Sequence, residues 1–382
     1  MKIAFVIDKV NYGGAERQLV ELLKGIDKTR FDISLIIFVK GGDLWGEIHQ
    51  IAGVKVVCLH RKHRWDIFSV IIRLFKAIKS IRPNVIHGYM LGTNELCFIL
   101  ARLLNIKVVW GIRNSNIDFL DFDWFTRLKF LIGTWMSRYV DLMIANSESG
   151  KNDHIVRGYS ENNWRIIPNG INITRFYPNR PVGEEMRSEW GIKKDSVVIG
   201  VVGRIHPMKD HTTFLKAAAM FLKERGDAFF ICIGTGSDSY KRKLHDLENK
   251  LNISHRTIWT GTVDNMCRVY NVLDVLSSSS AYGEGFSNTI GEAMACGVLC
   301  VVTDVGDSGT VLGDAGFVIP PRNQMALVEG WKRILNLSEK ERTNLSIFAR
   351  NRIKNLYSLD NMVDKTVAAL LGLMDTEHHM IQ

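Results

Sequence analysis

The feature that most constrains the fold of this chain is a repeated alternation of short β-branched runs with longer stretches of helical periodicity. In the first half, apolar runs typical of buried strands lie at 2–8, 31–38, 54–59, 84–89, 106–112, 141–146 and 165–169. Helical patterns fill the intervals at 14–26, 66–80, 92–104, 122–138 and 148–157. Strands that alternate with helices in this way predict a parallel sheet covered by helices on both faces.

The second half repeats the alternation after a stretch rich in Asn, Gly and Pro at 169–183, which we interpret as a linker. Strands are predicted at 196–202, 228–234, 257–261, 275–279, 298–303 and 316–320, and helices at 210–224, 238–250, 264–271, 287–296, 323–336 and 338–354. We therefore expect an α/β protein of two doubly wound, Rossmann-like domains, 1–173 and 174–358, that face each other across a cleft. Ligands of such sheets bind beyond the carboxyl ends of the strands.

Charge is distributed unevenly along the 382 residues. Residues 1–170 contain 24 Lys and Arg against 16 Asp and Glu, a net charge of +8 out of a total of +9. This excess favours an anionic partner for the first half: a membrane surface, a phosphorylated substrate or nucleic acid. There is no apolar run of transmembrane length and no signal-peptide pattern, and the six cysteines are scattered singly. We therefore expect a cytoplasmic protein with reduced thiols.

The segment EGFSNTIGEAMACG (284–297) places two carboxylates eight residues apart around a predicted helix start. Ser287 suits the N-cap position, so the backbone amides of Phe286, Ser287 and Asn288 can face a phosphate, which the helix dipole favours. Glu284 precedes the helix, and Glu292, one turn inside it, can reach a sugar hydroxyl. The alternative is that both glutamates are solvated charges at a helix start.

The segment VVGRIHPMKDHTTFLKA (201–217) carries two cations, Arg204 and Lys209, in the loop after a predicted strand. A guanidinium fork and a point charge five residues apart can together neutralise a diphosphate. Ordinary surface charge is the alternative interpretation of these two residues.

Two glycine-containing turns give weaker indications of a ligand. Gly13 and Gly14, in DKVNYGGAERQLVELL (8–23), separate the first strand from the first helix and permit close approach of a ligand. The turn FICIGTGSDSY (230–240) is similar to a dinucleotide-binding turn, but Ser239 stands where the third glycine is required. We expect a glycine turn near a ligand there rather than a nicotinamide site.

Together these segments resemble the GT-B retaining glycosyltransferases of family 4, also called glycosyltransferase group 1, of the bacterial surface-polysaccharide type. The resemblance runs nearly from end to end. It rests on EGFSNTIGEAMACG as the family's paired-glutamate signature, VGRIHPMKDHTTFLKA as its phosphate segment, NYGGAERQ as its N-terminal glycine loop and PNGINITRFYP as its interdomain connection.

The resemblance implies a role for each matching residue. Glu284 contacts the donor sugar ring, and Glu292 binds the ribose of the nucleotide. Arg204 and Lys209 hold the diphosphate, helped by the amides of residues 286–288. The C-terminal domain then binds the nucleotide-diphosphate sugar, and the N-terminal domain binds the acceptor.

The resemblance further implies that Gly14 lies close to the donor phosphates and that the last helix, about 359–375, packs back on the N-terminal domain. The family transfers sugar with retention and without a metal cofactor, because the two cations and a helix N-terminus meet the charge that grows on the leaving diphosphate. The acceptor hydroxyl attacks on the front face, and the departing phosphate takes its proton. Asp121 and Asp123 are more simply acids at a helix start than metal ligands.

This sequence departs from the family pattern after the strand at 106–112. Many relatives carry a histidine there, but this chain has Arg113, which cannot act as a base and can instead bind sugar hydroxyls or an acceptor phosphate. His87, which we place at the end of its strand, faces the predicted cleft, although a hydrogen-bonded structural histidine is an equal alternative.

Two amphipathic segments, 61–83 and 122–139, are both basic and rich in apolar side chains. Packing on the sheet explains their apolar stripes, while their cations fit anionic lipid headgroups. The hypothesis that follows is an enzyme at the inner face of the cytoplasmic membrane that acts on a saccharide acceptor linked to polyprenyl diphosphate, with UDP as the commonest nucleotide of the family. A non-hydrolysing nucleotide-sugar epimerase of the same fold is the alternative. A nucleic-acid-binding protein is disfavoured, since no recognisable module interleaves the charges with aromatics.

Overall fold

The computed structural model describes residues 1–63, 66–113, 115 and 124–375. Within it the chain forms two compact units. One contains Met1–Gly170 together with the C-terminal segment that begins at Leu359, and the other contains Ile171–Ser358. We call them the N-terminal and C-terminal units.

The N-terminal unit is built on a parallel sheet of seven strands in the order β3-β2-β1-β4-β5-β6-β7. The strands are β1 Lys2–Ile7, β2 Asp32–Ile37, β3 Val54–Cys58, β4 Val85–Tyr89, β5 Lys107–Ile112, β6 Leu142–Ala145 and β7 Trp164–Ile166. Its helices are α1 Gly14–Gly25, α2 Trp45–His49, α3 Ile67–Ile81, α4 Thr93–Leu104, α5 Trp124–Met136 and α6 Glu148–Val156, with the C-terminal helix α15 Leu359–Asp375.

Alternation along β1 explains how this sheet is covered on both faces. The side chains of Ile3 and Phe5 join one buried cluster, with residues of α1, α2 and α15. Those of Ala4 and Val6 join a second cluster, with residues of α3, α4 and α5. A strand buried on both faces has to be a continuous apolar run, which is the pattern the sequence displays.

The C-terminal unit has a parallel sheet of six strands in the order β10-β9-β8-β11-β12-β13. The strands are β8 Val198–Val202, β9 Phe229–Ile233, β10 Thr257–Gly261, β11 Val275–Ser278, β12 Leu299–Thr303 and β13 Gly316–Ile319. Its helices are α7 Arg180–Glu189, α8 His211–Glu224, α9 Asp238–Lys250, α10 Met266–Val272, α11 Asn288–Ala295, α12 Ser308–Leu312, α13 Gln324–Leu335 and α14 Glu339–Leu356.

The two doubly wound sheets confirm the predicted fold class, and all thirteen predicted strands are present. The prediction was incomplete at α2 and α12, which are single helical turns of five residues each, too short to show a helical period. It was wrong at the end of the supposed linker, because α7 begins at Arg180, where the Asn179 side chain accepts a hydrogen bond from the amide of Val182. The first two residues of the helix predicted at 122–138 lie outside the described residues.

Candidate active site

The candidate site of the C-terminal unit is built on two strands that are far apart in sequence. β8 and β11 pair in parallel, Val275 opposite Ile199 and Ser277 opposite Val201. Their carboxyl ends therefore lie side by side, and the loops that follow them emerge at the same edge of the sheet. One loop carries Arg204 and Lys209, and the other carries Glu284.

Hydrogen bonds to backbone carbonyls join these two loops directly. The Ser279 hydroxyl donates to the carbonyl of Lys209 at 2.9 Å, and the amide of Ala281 donates to the carbonyl of Met208 at 2.8 Å. Gly283 has φ of +77°, and a Cβ there would lie 2.6 Å from the sulfur of Met208. The segment 279–283 is therefore fixed against the loop that carries the two cations.

Glu284 is buried and forms an ion pair with Lys209. The exposed fractions of the two side chains are 7% and 13%, respectively, and the Ser280 hydroxyl donates to the same carboxylate at 2.6 Å. Burial by itself would raise the pKa of Glu284, but the ion pair and hydrogen bond with Lys209, the hydrogen bond from Ser280 and the charge of Arg204 together hold that pKa below its ordinary value. The carboxylate is therefore ionised at neutral pH although it is buried.

Arg204 lies beside this pair, but unlike Lys209 it is not engaged in an ion pair with a described residue and is available to a ligand. The residue is exposed, and in the described part of the chain its guanidinium makes no hydrogen bond or ion pair. Its positive charge nevertheless acts on Glu284. A guanidinium that is uncommitted within the protein has all its donors available for an anionic ligand.

Helix α11 begins at Asn288, as the sequence predicts, with Ser287 as its N-cap residue. The Ser287 side chain does not cap the helix; its hydroxyl instead lies 3.2 Å from that of Thr289. Among the described residues, the backbone amides of Phe286 and Ser287 donate no hydrogen bond. The Phe286 ring is buried 5.3 Å from the ring of Tyr357, so this residue can offer a ligand only its backbone.

Glu292 is half-buried on α11 and is oriented by a neighbouring helix. The hydroxyl of Tyr270, on α10, donates to its carboxylate at 2.7 Å. Burial, followed by the negative charge of Glu292, raises the pKa of Tyr270 well above its ordinary value, so the phenol keeps its proton. The bond fixes the direction of the Glu292 carboxylate.

The glycine turn after β9 has a structural explanation. A Cβ on Gly234 would lie 2.0 Å from the carbonyl oxygen of Gly203, and a Cβ on Gly236 would lie 1.9 Å from that of Ile205. Gly236 and Ile205 also form a parallel bridge. These glycines let the loop after β9 pack against the loop that carries Arg204.

In the N-terminal unit, Gly14 is the first residue of α1 and is exposed, with extended Gly13 as the N-cap. A Cβ on Gly13 would lie 2.1 Å from a carboxylate oxygen of Glu16, so a larger residue at that position would displace this side chain. The glycine pair therefore places a helix N-terminus at the carboxyl edge of the sheet.

His87 does not lie where the sequence predicts. It occupies the middle of β4 rather than its end, and it is completely buried, 5.4 Å from the ring of Phe5 and 4.7 Å from that of Tyr89. Neither ring nitrogen has a hydrogen-bond partner in the described part of the chain. Burial, and then the charge of Arg113, holds the pKa of His87 well below its ordinary value, so the imidazole is neutral. Both sequence interpretations, a ligand-facing histidine and a hydrogen-bonded one, are corrected.

Arg113 follows β5 directly and is half-buried. Its guanidinium donates to the hydroxyl of Tyr89 at 3.2 Å and to the side-chain oxygen of Asn169 at 3.4 Å, and it lies 5.0 Å from the centre of the Tyr89 ring. Tyr89 thus lies between His87 and Arg113 and contacts both. Of these three residues only Arg113 is partly exposed.

The sequence interpretation missed Ser280, Tyr270, Tyr89 and Asn169, which hold the predicted residues in place. A run of four serines at 277–280, which ends four residues before Glu284, was the one available signal for a hydroxyl donor at a strand end. In the described part of the chain, no group of three or more His, Cys, Asp and Glu residues could hold a metal ion. Asp121 and Asp123 lie outside the described residues.

Comparisons with known proteins agree with these motifs. The sequence model of Glycosyltransferase Family 4 matches residues 12–175, and that of Glycosyl transferases group 1 matches residues 182–352. The putative glycosyltransferase EpsF of Bacillus subtilis (strain 168) is 24% identical over 324 residues, covering 84% of this chain and 83% of that protein. The UDP-Gal:alpha-D-GlcNAc-diphosphoundecaprenol alpha-1,3-galactosyltransferase of Escherichia coli is 23% identical over 377 residues, covering 96% of this chain and 95% of that protein.

Among solved structures, Anabaena Alr3699/HepE in complex with UDP superposes with a TM-score of 0.85 at 18% identity, over 97% of this chain and 100% of that chain. The same protein in complex with UDP-glucose superposes with a TM-score of 0.83. At this level of identity the likeness concerns the fold, and it confirms the predicted GT-B architecture.

Proposed function

We propose that this chain, which belongs to the GT-B glycosyltransferases of family 4 and group 1, transfers a sugar with retention from a nucleotide-diphosphate sugar to a lipid-linked saccharide acceptor. The biosynthetic context is a surface polysaccharide, such as an O-antigen or capsule, or a glycolipid, and the nucleotide is UDP. The observation that carries the proposal is the buried ion pair of Lys209 and Glu284, with the available guanidinium of Arg204 beside it.

The diphosphate of the donor suits the positive side of this arrangement. Arg204 supplies a fork of donors, Lys209 supplies a point charge, and the amides at 286–288 lie at the positive end of α11. As the bond to the sugar breaks, negative charge grows on the leaving phosphate, and preorganised donors stabilise that charge without rearranging. We propose that this set serves in place of a metal ion.

The two carboxylates suit the two sugars of the donor. Glu284, held ionised by Lys209, accepts hydrogen bonds from hydroxyls of the transferred sugar and stabilises positive charge on its ring in the transition state. Glu292, held in direction by Tyr270, accepts hydrogen bonds from the ribose diol. The acceptor hydroxyl attacks from the face that the phosphate leaves, and the phosphate takes the proton, so no protein nucleophile is needed.

The N-terminal unit binds the acceptor in this proposal. Arg113 presents a guanidinium already oriented by Tyr89 and Asn169, which suits an acceptor phosphate or sugar hydroxyls. The exposed first turn of α1 at Gly14 offers amides to the donor phosphates. His87, which is enclosed and neutral, orders Tyr89 by packing against it and does not itself act as a base.

The lipid-linked acceptor is suggested by the Escherichia coli relative, whose name gives diphosphoundecaprenol as the carrier of its acceptor sugar. No helix in the described part of the chain is both long and apolar enough to span a bilayer. The adjoining helices α3, α4 and α5 expose large apolar side chains, among them Phe68 at 84%, Leu103 at 70% and Trp124 at 71%. With the net charge of +8 in residues 1–170, this layer suits peripheral contact with an anionic membrane at its cytoplasmic face.

Flotation with vesicles tests the membrane part of the proposal. We expect the protein to float with vesicles that contain phosphatidylglycerol and to stay behind with purely zwitterionic ones, the difference shrinking as salt is added. Equal flotation with both vesicle types would contradict an electrostatic membrane contact.

The donor assignment is tested by nucleotide binding and by two matched variants. UDP, GDP, ADP and dTDP are titrated while thermal unfolding is followed, since a ligand at about a hundredfold its Kd adds roughly 2.7 kcal/mol of stability. We expect UDP to stabilise the protein, Glu292→Ala to weaken that binding, and Glu284→Ala to preserve it while lowering kcat.

Two outcomes would contradict the assignment. Stabilisation by none of the four nucleotides would oppose a nucleotide site, and unchanged kinetics in both variants would oppose the two carboxylate roles. Conversion of a nucleotide sugar to its epimer without any acceptor would favour the epimerase alternative instead of transfer.

A further inference from the structure

A surface cavity of about 770 Å³ lies at the opposite edge of the N-terminal sheet from Gly14 and Arg113. It is lined by residues at the amino-terminal ends of β5 and β6, by residues 163 and 165–167 along the edge strand β7, and by one face of α15. The strands of this sheet are parallel, so their amino-terminal ends share one edge, and this edge carries none of the candidate active-site residues. The cavity is therefore separate from the site that the proposed function uses.

The charged side chains that line the cavity leave an excess of positive charge. Among the described residues that line it, the one carboxylate is Asp141, and it is already engaged. Lys107 lies 3.4 Å away, Arg102 lies 3.6 Å away, and the amide of Val108 donates to it at 3.0 Å. A carboxylate with these partners is not available to neutralise further cations in the cavity.

Three other cations line the same cavity, and all are exposed: Arg138, Arg165 and Lys365. In the described part of the chain, Arg138 and Lys365 make no hydrogen bond or ion pair, and Arg165 donates only to the carbonyl of Trp164, at 3.3 Å. Like charges around a concave surface reinforce one another's potential and concentrate anions there. Two guanidinium forks and an ammonium group are the donors that a phosphate group prefers.

Apolar side chains line the cavity alongside the cations. Val140 and Leu142 are buried at the start of β6, and Ala369 and Leu373 of α15 line the facing wall. Tyr139, at the rim, is 52% exposed, and its ring lies 5.4 Å from that of Trp135. A purely inorganic anion would leave this apolar surface in water, whereas a phosphate joined to a hydrocarbon portion would cover it.

We propose that this cavity binds the phosphate-bearing end of an amphiphile, with Arg138, Arg165 and Lys365 on the phosphate and the apolar side chains against the adjoining hydrocarbon. The ligand chemistry is a phosphate ester with an apolar substituent, which either a membrane phospholipid or a soluble phosphorylated metabolite supplies. The proposal does not depend on the nucleotide site, because the cavity shares no residue with it.

Gly372 provides a variant that tests occupancy of the cavity separately from its charge. It lines the cavity on α15, and a Cβ added there would meet no atom within 4 Å. Gly372→Trp therefore places a large side chain in the cavity without removing a cation, and it replaces the helix-weakening glycine. An unfolding temperature close to that of the wild type, and the same stabilisation by nucleotide, would show that the variant is folded.

The ligands to be titrated by calorimetry are monomeric short-chain phosphatidylglycerol, hexyl phosphate and inorganic phosphate, each against the full-length protein. We compare Gly372→Trp with the triple variant Arg138→Gln/Arg165→Gln/Lys365→Gln. The matched control, Lys223→Gln/Lys243→Gln/Lys250→Gln, removes three exposed cations from α8 and α9 in the C-terminal unit.

We expect at least one of the two amphiphiles to bind more tightly than inorganic phosphate, with affinity reduced roughly tenfold or more in both cavity variants and unchanged in the control. Preference for the lipid identifies a membrane source, and preference for hexyl phosphate identifies a soluble one. Three results would overturn the proposal: no binding of either amphiphile, an equal loss of affinity in the control, or full binding by Gly372→Trp.

Discussion

Removal of the cation from the Lys209–Glu284 pair is the sharpest test of the site geometry. Lys209→Met keeps the length and apolar stem of the side chain but leaves Glu284 buried without its partner. Breaking a buried ion pair on one side costs about 3–5 kcal/mol, because one charge stays desolvated and unpaired. The Ser280 hydroxyl still donates to the carboxylate, so we expect about 3 kcal/mol, the lower end of that range, at pH 7.5.

The dependence of this loss on pH follows from the pKa of Glu284 in the folded chain compared with its pKa in the unfolded chain. In the wild type, the pKa of Glu284 is lower in the folded than in the unfolded chain, so the ionised group contributes stability that is present above the unfolded pKa and is lost as the pH falls. Without Lys209, burial dominates and raises the folded pKa above the unfolded one. The variant therefore gains stability relative to the wild type as the pH falls from 7.5 towards 5.

Urea unfolding followed by circular dichroism at pH 7.5 and pH 5 measures this difference. Lys216→Met is the matched control, since Lys216 is an exposed residue of α8, and it should change stability by no more than about 0.5 kcal/mol. Lys209→Met/Glu284→Gln should recover most of the lost stability without recovering transfer activity. A loss below about 1 kcal/mol in Lys209→Met, or a loss that does not change with pH, would refute the buried pair.

Two further predictions concern the frame of the same unit. Gly236→Ala should destabilise the protein by about 1–3 kcal/mol, because its Cβ would lie 1.9 Å from the carbonyl oxygen of Ile205. The control Gly226→Ala should be nearly neutral, since a Cβ there meets no atom within 4 Å. The midpoints of urea unfolding compare the two variants, and equal midpoints would contradict the packing argument. Burial lowers the pKa of His211 to about 4, so the unfolded chain binds a proton that the folded chain does not bind between about pH 4 and pH 6.5. As the pH is lowered across this window, wild-type stability should therefore decrease more steeply than that of His211→Phe, by up to about 1.4 kcal/mol per pH unit. Parallel pH profiles of the two proteins would oppose this.

Much of the fold could be predicted because its strands are buried on both faces. The strand Val198–Val202 lies in a run of Val, Ile and Gly at 197–202, between Ser196 and Gly203. Such a run is most readily explained as a buried strand in a chain whose strands alternate with helices. The start of α11 could also be predicted, since Ser287 is a favoured N-cap residue, although its side chain does not form the expected cap. The short helices α2 and α12 could not be predicted, because five residues do not complete two helical turns.

The contacts within the site could not be predicted, because they depend on strand order. Sequence placed Lys209 and Glu284 after two different strands, 75 residues apart. Only the pairing of β8 with β11 brings them together, and nothing in either segment specifies that order. The same holds for Tyr270 and Glu292, which lie on different helices. The predicted bounds of β4 agree with the observed ones to within one residue, but His87 lies in the middle of the strand rather than at its end, so its side chain is buried instead of facing a ligand.

The glycines at the carboxyl edge of the C-terminal sheet show why residues typical of ligand binding need not touch a ligand. Gly236 is required where the loop after β9 meets the carbonyl of Ile205, and Gly306, with φ of +60°, lies where a Cβ would be 1.9 Å from the carbonyl oxygen of Glu284. Each glycine permits one loop to pack directly on another, and the loops so held are those that carry Arg204 and Glu284. A site that stabilises developing charge needs its charged groups fixed beforehand, so backbone packing by glycines at a distance from the ligand is part of how this edge becomes suited to a diphosphate.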